Sequence, residues 1–122
     1  MLCSILLAYD DKATLELLSE YLALEDFKIV GCATNGLEAV NLYKQFKPNI
    51  VIMGDSMPNY DGVYGLEHIK KFNPYAKVII ITQKDDQSIR KKIIELEATS
   101  IVKIPIAIDK LVDIVKFLMP LK

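Results

Sequence analysis

Short apolar runs alternate with stretches in which apolar residues recur every third or fourth position, and this alternation is repeated five times along the chain. No other feature constrains the fold as tightly. Ser4 to Tyr9 reads as a buried strand closed by Asp10 and Asp11. Leu15, Leu18 and Leu22 then mark an amphipathic helix from Lys12 to about Leu24. Phe27 to Ala33 is a second strand. Ala39, Leu42, Tyr43 and Phe46 form a second helical stripe, stopped at Lys47-Pro48. Ile50 to Met53 is a third strand, followed by a helix carrying Val63, Leu66 and Ile69 as far as Asn73-Pro74. Lys77 to Thr82 is a β-branched fourth strand, and Asp85 to Leu96 a fourth helix. Thr99 to Ile104 is the fifth strand, and Ile108, Leu111, Val112, Val115 and Leu118 are the last stripe.

Strands and helices in strict alternation require right-handed crossovers, hence an α/β fold with a parallel sheet and helices on both faces. The carboxyl ends of the strands then carry the site. Asp10, Asp11, Gly54, Asp55, Thr82, Lys103 and Ile104 fall there. With 122 residues, 52% of them hydrophobic, the chain fills one domain, 1–122, and leaves no room for a second. A formal net charge of −1 predicts no direct nucleic-acid partner and no attraction to anionic membrane. The apolar runs fall short of the ~18 residues of a membrane span, and no leader pattern precedes the first strand, so the expected location is the cytoplasm. Cys3 and Cys32 are widely separated and read as small buried hydrophobes. His68 has no Ser, Cys or second His beside it, and no enzyme activity is expected.

The acid pair in ILLAYDD, the NGLEA turn, KPNIVIM leading to MPNYDG, the IIIT strand end and ATSIVKIP occur in order along the chain. With these motifs the sequence resembles the CheY-like receiver domains of response regulators, over essentially its full length. The resemblance implies a flavodoxin-like (βα)5 sandwich with strand order 2-1-3-4-5 and five helices. It implies an acid pair, Asp10 and Asp11, that holds Mg²⁺ together with an acceptor carboxylate and the carbonyl of Ser56. It further implies a switch hydroxyl at Thr82, a lysine before Pro105, and a cis Ile104-Pro105 peptide.

Three positions depart from the family. Counting four residues back from Pro58, or seven back from Asp61, reaches Gly54 where the phosphoacceptor belongs, and Asp55 is its displaced neighbour. Ile104 stands where the lysine belongs, with Lys103 one place early. Ile101 replaces the usual aromatic. Strand alternation predicts that a carboxylate displaced by one residue is aimed away from the crevice. The crevice would then hold two carboxylates and neither member of the lost Asp–Lys pair, leaving its formal balance unchanged. Any Mg²⁺ is expected to bind weakly or not at all, because the central carboxylate is missing.

The expected function is therefore two-component signal transduction by a pseudo-receiver that binds a protein partner without aspartyl phosphorylation. The partner is a histidine kinase or an effector or transcription component, and the same face would serve a homodimer. That face is the fourth helix, fifth strand and fifth helix, with Arg90, Ile94, Ile101, Lys103 and Lys110. Two alternatives stand beside it. One is a single-domain regulator phosphorylated at Asp55 by a histidine kinase with Mg²⁺. The other is a flavodoxin-like small-ligand binder, for which the loop after the first strand offers Asp-Asp-Lys in place of a phosphate-binding turn.

Overall fold

The computed structural model describes residues 3–83, 86–104 and 108–119. In chain order the elements are β1 (Ser4–Ala8), α1 (Lys12–Leu24), β2 (Lys28–Ala33), α2 (Gly36–Phe46), β3 (Ile50–Gly54), α3 (Gly62–Phe72), β4 (Lys77–Thr82), α4 (Gln87–Glu95), β5 (Ser100–Lys103) and α5 (Ile108–Leu118). The strands form one sheet in the order β2-β1-β3-β4-β5, and every pairing is parallel. The expected α/β sandwich and strand order are both found.

The sheet separates two cores by the parity of its strand residues. Ile5, Leu7, Ile50, Ile52, Ile79 and Ile81 pack with Leu15, Leu18 and Leu22 of α1 and Leu111, Val112 and Val115 of α5. Leu6, Ala8, Val51, Met53, Val78 and Ile80 point the other way, against Ala39 and Val40 of α2, Leu66 and Ile69 of α3, and Ile93 of α4. β1, β3 and β4 are covered on both faces, which is why they read as unbroken apolar runs. Each fully buried Leu or Ile contributes about 1.5–3 kcal/mol relative to exposure.

Helix starts follow capping chemistry. Asp11, Asn35, Asp61 and Asp86 are the N-caps of α1, α2, α3 and α4, each accepting a backbone N–H from the first turn. The fourth helix therefore begins at Gln87, two residues later than the apolar pattern suggests, because Asp86 serves as its cap. α2 ends as expected before Pro48, with Lys47 in the left-handed region at φ 46°.

One expectation is corrected. Cys3 is buried, but Cys32 is exposed. It lies on β2, an edge strand that α1 and α2 cover only partly. The expected cis Ile104-Pro105 peptide lies outside the described residues.

Candidate functional site

The carboxyl ends of β1, β3 and β4 open into a crevice of about 400 Å³ lined by Tyr9, Asp10, Asp11, Thr14, Asp55, Ser56, Gln83 and Asp86 together with Ile81 and Ile89. Parallel β1, β3 and β4 end side by side, so residues far apart in sequence meet at one rim.

Gly54 is the last residue of β3 and is buried. By parity it faces the α1/α5 core, two residues beyond Ile52, and Tyr9 takes the same face two residues beyond Leu7. The Tyr9 ring fills the space that a side chain at position 54 would need. A Cβ built on Gly54 would lie 2.7 Å from Tyr9 Cδ1 and 3.0 Å from Cε1. Tyr9 is only 9% exposed, and its hydroxyl accepts a 2.9 Å hydrogen bond from Gln83 Nε2. Burial pushes the Tyr9 phenol above its ordinary pKa; the Gln83 hydrogen bond works against this, and the charges of Asp10, Asp11 and Asp55 add to it.

Ile104 lies on the same side. It packs against the α1/α5 core and shares with Tyr9, Leu17, Leu18, Ile81, Ile108 and Leu111 an apolar cavity of about 170 Å³. Its N–H donates to Thr82 O across 2.8 Å. Lys103, its neighbour, is paired with Thr82 in the sheet register and is exposed.

Asp55 differs from the sequence expectation. Its displacement moves it to the opposite parity, but that is also the parity of Thr82, and Thr82 Oγ1 donates a 2.8 Å hydrogen bond to Asp55 Oδ2. The carboxylate thus lines the crevice on its α2/α3/α4 side. Its backbone is fixed as well: Asp55 N–H donates to Ile81 O at 2.9 Å, and Gly62 N–H donates to Asp55 O at 3.0 Å. Gly62 must be glycine here, since a Cβ on it would strike the carbonyl of Gly54 and approach Asp55 Cα to 2.8 Å.

On the α1/α5 side Tyr9 packs against Gly54 and shares the neighbouring apolar cavity with Ile104, while Asp11 and Thr14 keep the rim polar. On the other side Asp55 is bonded to Thr82. The expected count of two carboxylates is also corrected. Asp10, Asp11, Asp55 and Asp86 all line the space, because Asp55 turns toward Thr82 and Asp86 caps α4 at the same rim.

The oxygen donors of Asp10, Asp11 and the Ser56 carbonyl suit Mg²⁺ in kind. Their arrangement suits it less well. Asp11 Oδ1 accepts from Ala13 N–H at 3.2 Å and Oδ2 from the Thr14 hydroxyl at 2.7 Å, while Asp55 is engaged by Thr82. Among the described residues, no three or more His, Cys, Asp or Glu side chains are grouped so that they could hold a metal ion. As they stand, these residues do not make a fitted cation site.

On the fourth-helix side, Arg90, Ile94, Lys103 and Lys110 are exposed, and Ile101 is half-buried against the α2/α3/α4 core. Sequence reasoning missed Tyr9, Thr14, Gln83 and Asp86 as parts of the crevice. For Tyr9 the signal was present: the parity that points Leu7 and Ile52 to one core also points Tyr9 and Gly54 there.

Comparison with known proteins agrees with this fold. A model of the response regulator receiver domain matches residues 5–116. Chemotaxis protein CheY of Thermotoga maritima is 32% identical over 108 residues, which cover 88% of this chain and 90% of that protein. The crystal structure of a LuxR-family DNA-binding response regulator from Staphylococcus aureus superposes with a TM-score of 0.90 at 28% identity, covering 96% of this chain and 98% of that one. The CheX–CheY–BeF3–Mg²⁺ complex from Borrelia burgdorferi gives 0.87 at 27% identity, over 94% of this chain and 87% of the other. With a family match across nearly the whole length, on a five-stranded parallel sheet of the same order, the chain belongs to the response regulator receiver domain family.

Proposed function

We propose that this chain acts in two-component signalling as a single receiver unit, residues 1–122, that binds a protein partner without aspartyl phosphorylation. The observation that carries the reading is the Tyr9 ring packed into the side-chain space of Gly54, the position at which the family places its acceptor. The apolar Ile104 at the lysine position supports it, since a transferred phosphoryl group would meet no ammonium there. Any Mg²⁺ at Asp10, Asp11 and the Ser56 carbonyl binds weakly, and the domain performs no catalysis of its own.

The partner is a signalling protein, either a histidine kinase or an effector or transcription component, met in the cytoplasm. It engages α4, β5 and α5, which carry the exposed Arg90, Ile94, Lys103 and Lys110. The same face would serve a homodimer. No direct nucleic-acid or membrane contact is part of this reading.

A second reading is favoured by one observation, the hydrogen bond from Thr82 to Asp55. In it Asp55 is the acceptor and Thr82 later holds the phosphoryl oxygens. Acetyl phosphate with Mg²⁺, followed by intact mass measurement, separates the two. No mass gain is expected. A gain in the wild type that Asp55→Ala abolishes would replace the first reading with the second.

A further inference from the structure

We propose that Tyr9 is the residue that closes the acceptor position, so that restoring a carboxylate at Gly54 and a lysine at Ile104 does not by itself reopen it. The inference rests on the reading of Gly54 as a vacated acceptor position and names what now occupies its space.

The argument is steric. A Cβ on Gly54 would stand 2.7 Å and 3.0 Å from two Tyr9 ring atoms, well inside van der Waals contact. A carboxylate needs further room beyond that Cβ. The clash could be relieved only by moving the ring, and the ring is held on several sides. It is buried in the core with Leu7, Ile52 and Ile81. Its hydroxyl receives Gln83 Nε2 at 2.9 Å, and the main chain from which the ring projects is fixed by the backbone N–H, which donates to Ala33 O at 3.0 Å.

The second half of the argument is complementarity. Tyr9, just past the end of β1, and Gly54, the last residue of β3, form a size-matched pair, one large and one absent side chain on the same face. Ile104 continues the apolar lining around the ring. The three residues together form a small core where the family has a charged pair. Changing position 54 or 104 alone introduces a charge into that core against Tyr9.

Two measurements test this. The first is a double-mutant cycle in urea between Gly54→Ala and Tyr9→Val. With Tyr9 in place, Gly54→Ala is expected to lower the folding equilibrium constant by about tenfold more than it does beside Tyr9→Val. Additive effects would overturn the proposal, since the ring would then be yielding freely. The second uses Gly54→Asp, Ile104→Lys and Asp55→Asn combined, which leaves position 54 as the only candidate acceptor at the end of β3. Treated with acetyl phosphate and Mg²⁺, this variant should gain no phosphoryl mass while Tyr9 is present, nor with Tyr9→Phe, which keeps the ring. It should gain one with Tyr9→Val. Equal labelling in all backgrounds, including none in any, would overturn the proposal. Labelling of the wild type at Asp55 would end the function reading and leave the urea cycle as an intact test of Tyr9.

Discussion

Thr82 Oγ1 lies 2.8 Å from Asp55 Oδ2, joining the end of β4 to the residue just past β3. In the family the hydroxyl at this position meets a phosphoryl group after transfer. Here an unmodified carboxylate already receives it. Thr82→Val keeps the shape and removes the donor, and a cost of about 1 kcal/mol is expected in urea denaturation. Thr82→Ser should retain most of that stability. A Val variant as stable as the wild type would show that the bond contributes nothing to folding.

A second expectation concerns acid. Glu38 Oε1 accepts both the hydroxyl and the N–H of Thr34, at 2.7 Å and 2.9 Å, while Asn35 Oδ1 accepts Glu38 N–H at 2.9 Å. The Thr34 hydroxyl, then the Thr34 N–H, hold the Glu38 carboxyl below its ordinary pKa; burial opposes them and the Lys12 charge adds to them. A depressed carboxylate stabilises the fold at pH values above its unfolded pKa, and that contribution is lost as pH falls through the folded one. Thr34→Val should therefore narrow the stability gap between neutral and mildly acidic solution, read as urea midpoints across that range. An unchanged pH profile would contradict it.

Neighbouring isoleucines on α4 should behave in opposite ways. Ile93 is 1% exposed and Ile94 is 59% exposed. Ile93→Ala should cost about 2–4 kcal/mol by leaving a cavity in the core. Ile94→Ala should stay within about 0.5 kcal/mol of the wild type. Thermal melts of the two variants would show whether the outer face of α4 is free of structural duty, as a docking surface requires.

Gly62→Ala tests the tight join behind the crevice. Its new methyl would collide with the Gly54 carbonyl. The loop from Asp55 to Asp61 must shift in response, at a cost of about 1–3 kcal/mol in denaturant titrations. A neutral result would mean that β3 and the start of α3 can separate without penalty.

Fold and site differ in how much of each the sequence discloses. The five alternations show the sheet and its helices because β1, β3 and β4 are buried on both faces and leave long apolar runs. Element ends were less clear, since Asp86 as a cap delays α4 by its own chemistry and not by any change of pattern. Counting from Pro58 and Asp61 found Gly54, but could not show where Asp55 points. That depends on Thr82, reached through the pairing of β3 with β4 and not through local alternation. Cys32 was misjudged for a related reason: an edge strand has the composition of an inner one but lacks its cover. The role of Tyr9 emerges only when the ends of two strands are read together.

The helix caps at the rim have a consequence for judging any chain built on this plan. Asp11 and Asp86 hold the starts of α1 and α4 as well as lining the crevice. A carboxylate with that second occupation is held in place by the helix it caps, whatever the chemistry beside it, because losing it would fray the helix. Position 54 has no such second occupation. Asp11 and Asp86 thus report on how two helices are held, whereas the contact of Gly54 with Tyr9 reports on how the end of β3 is filled.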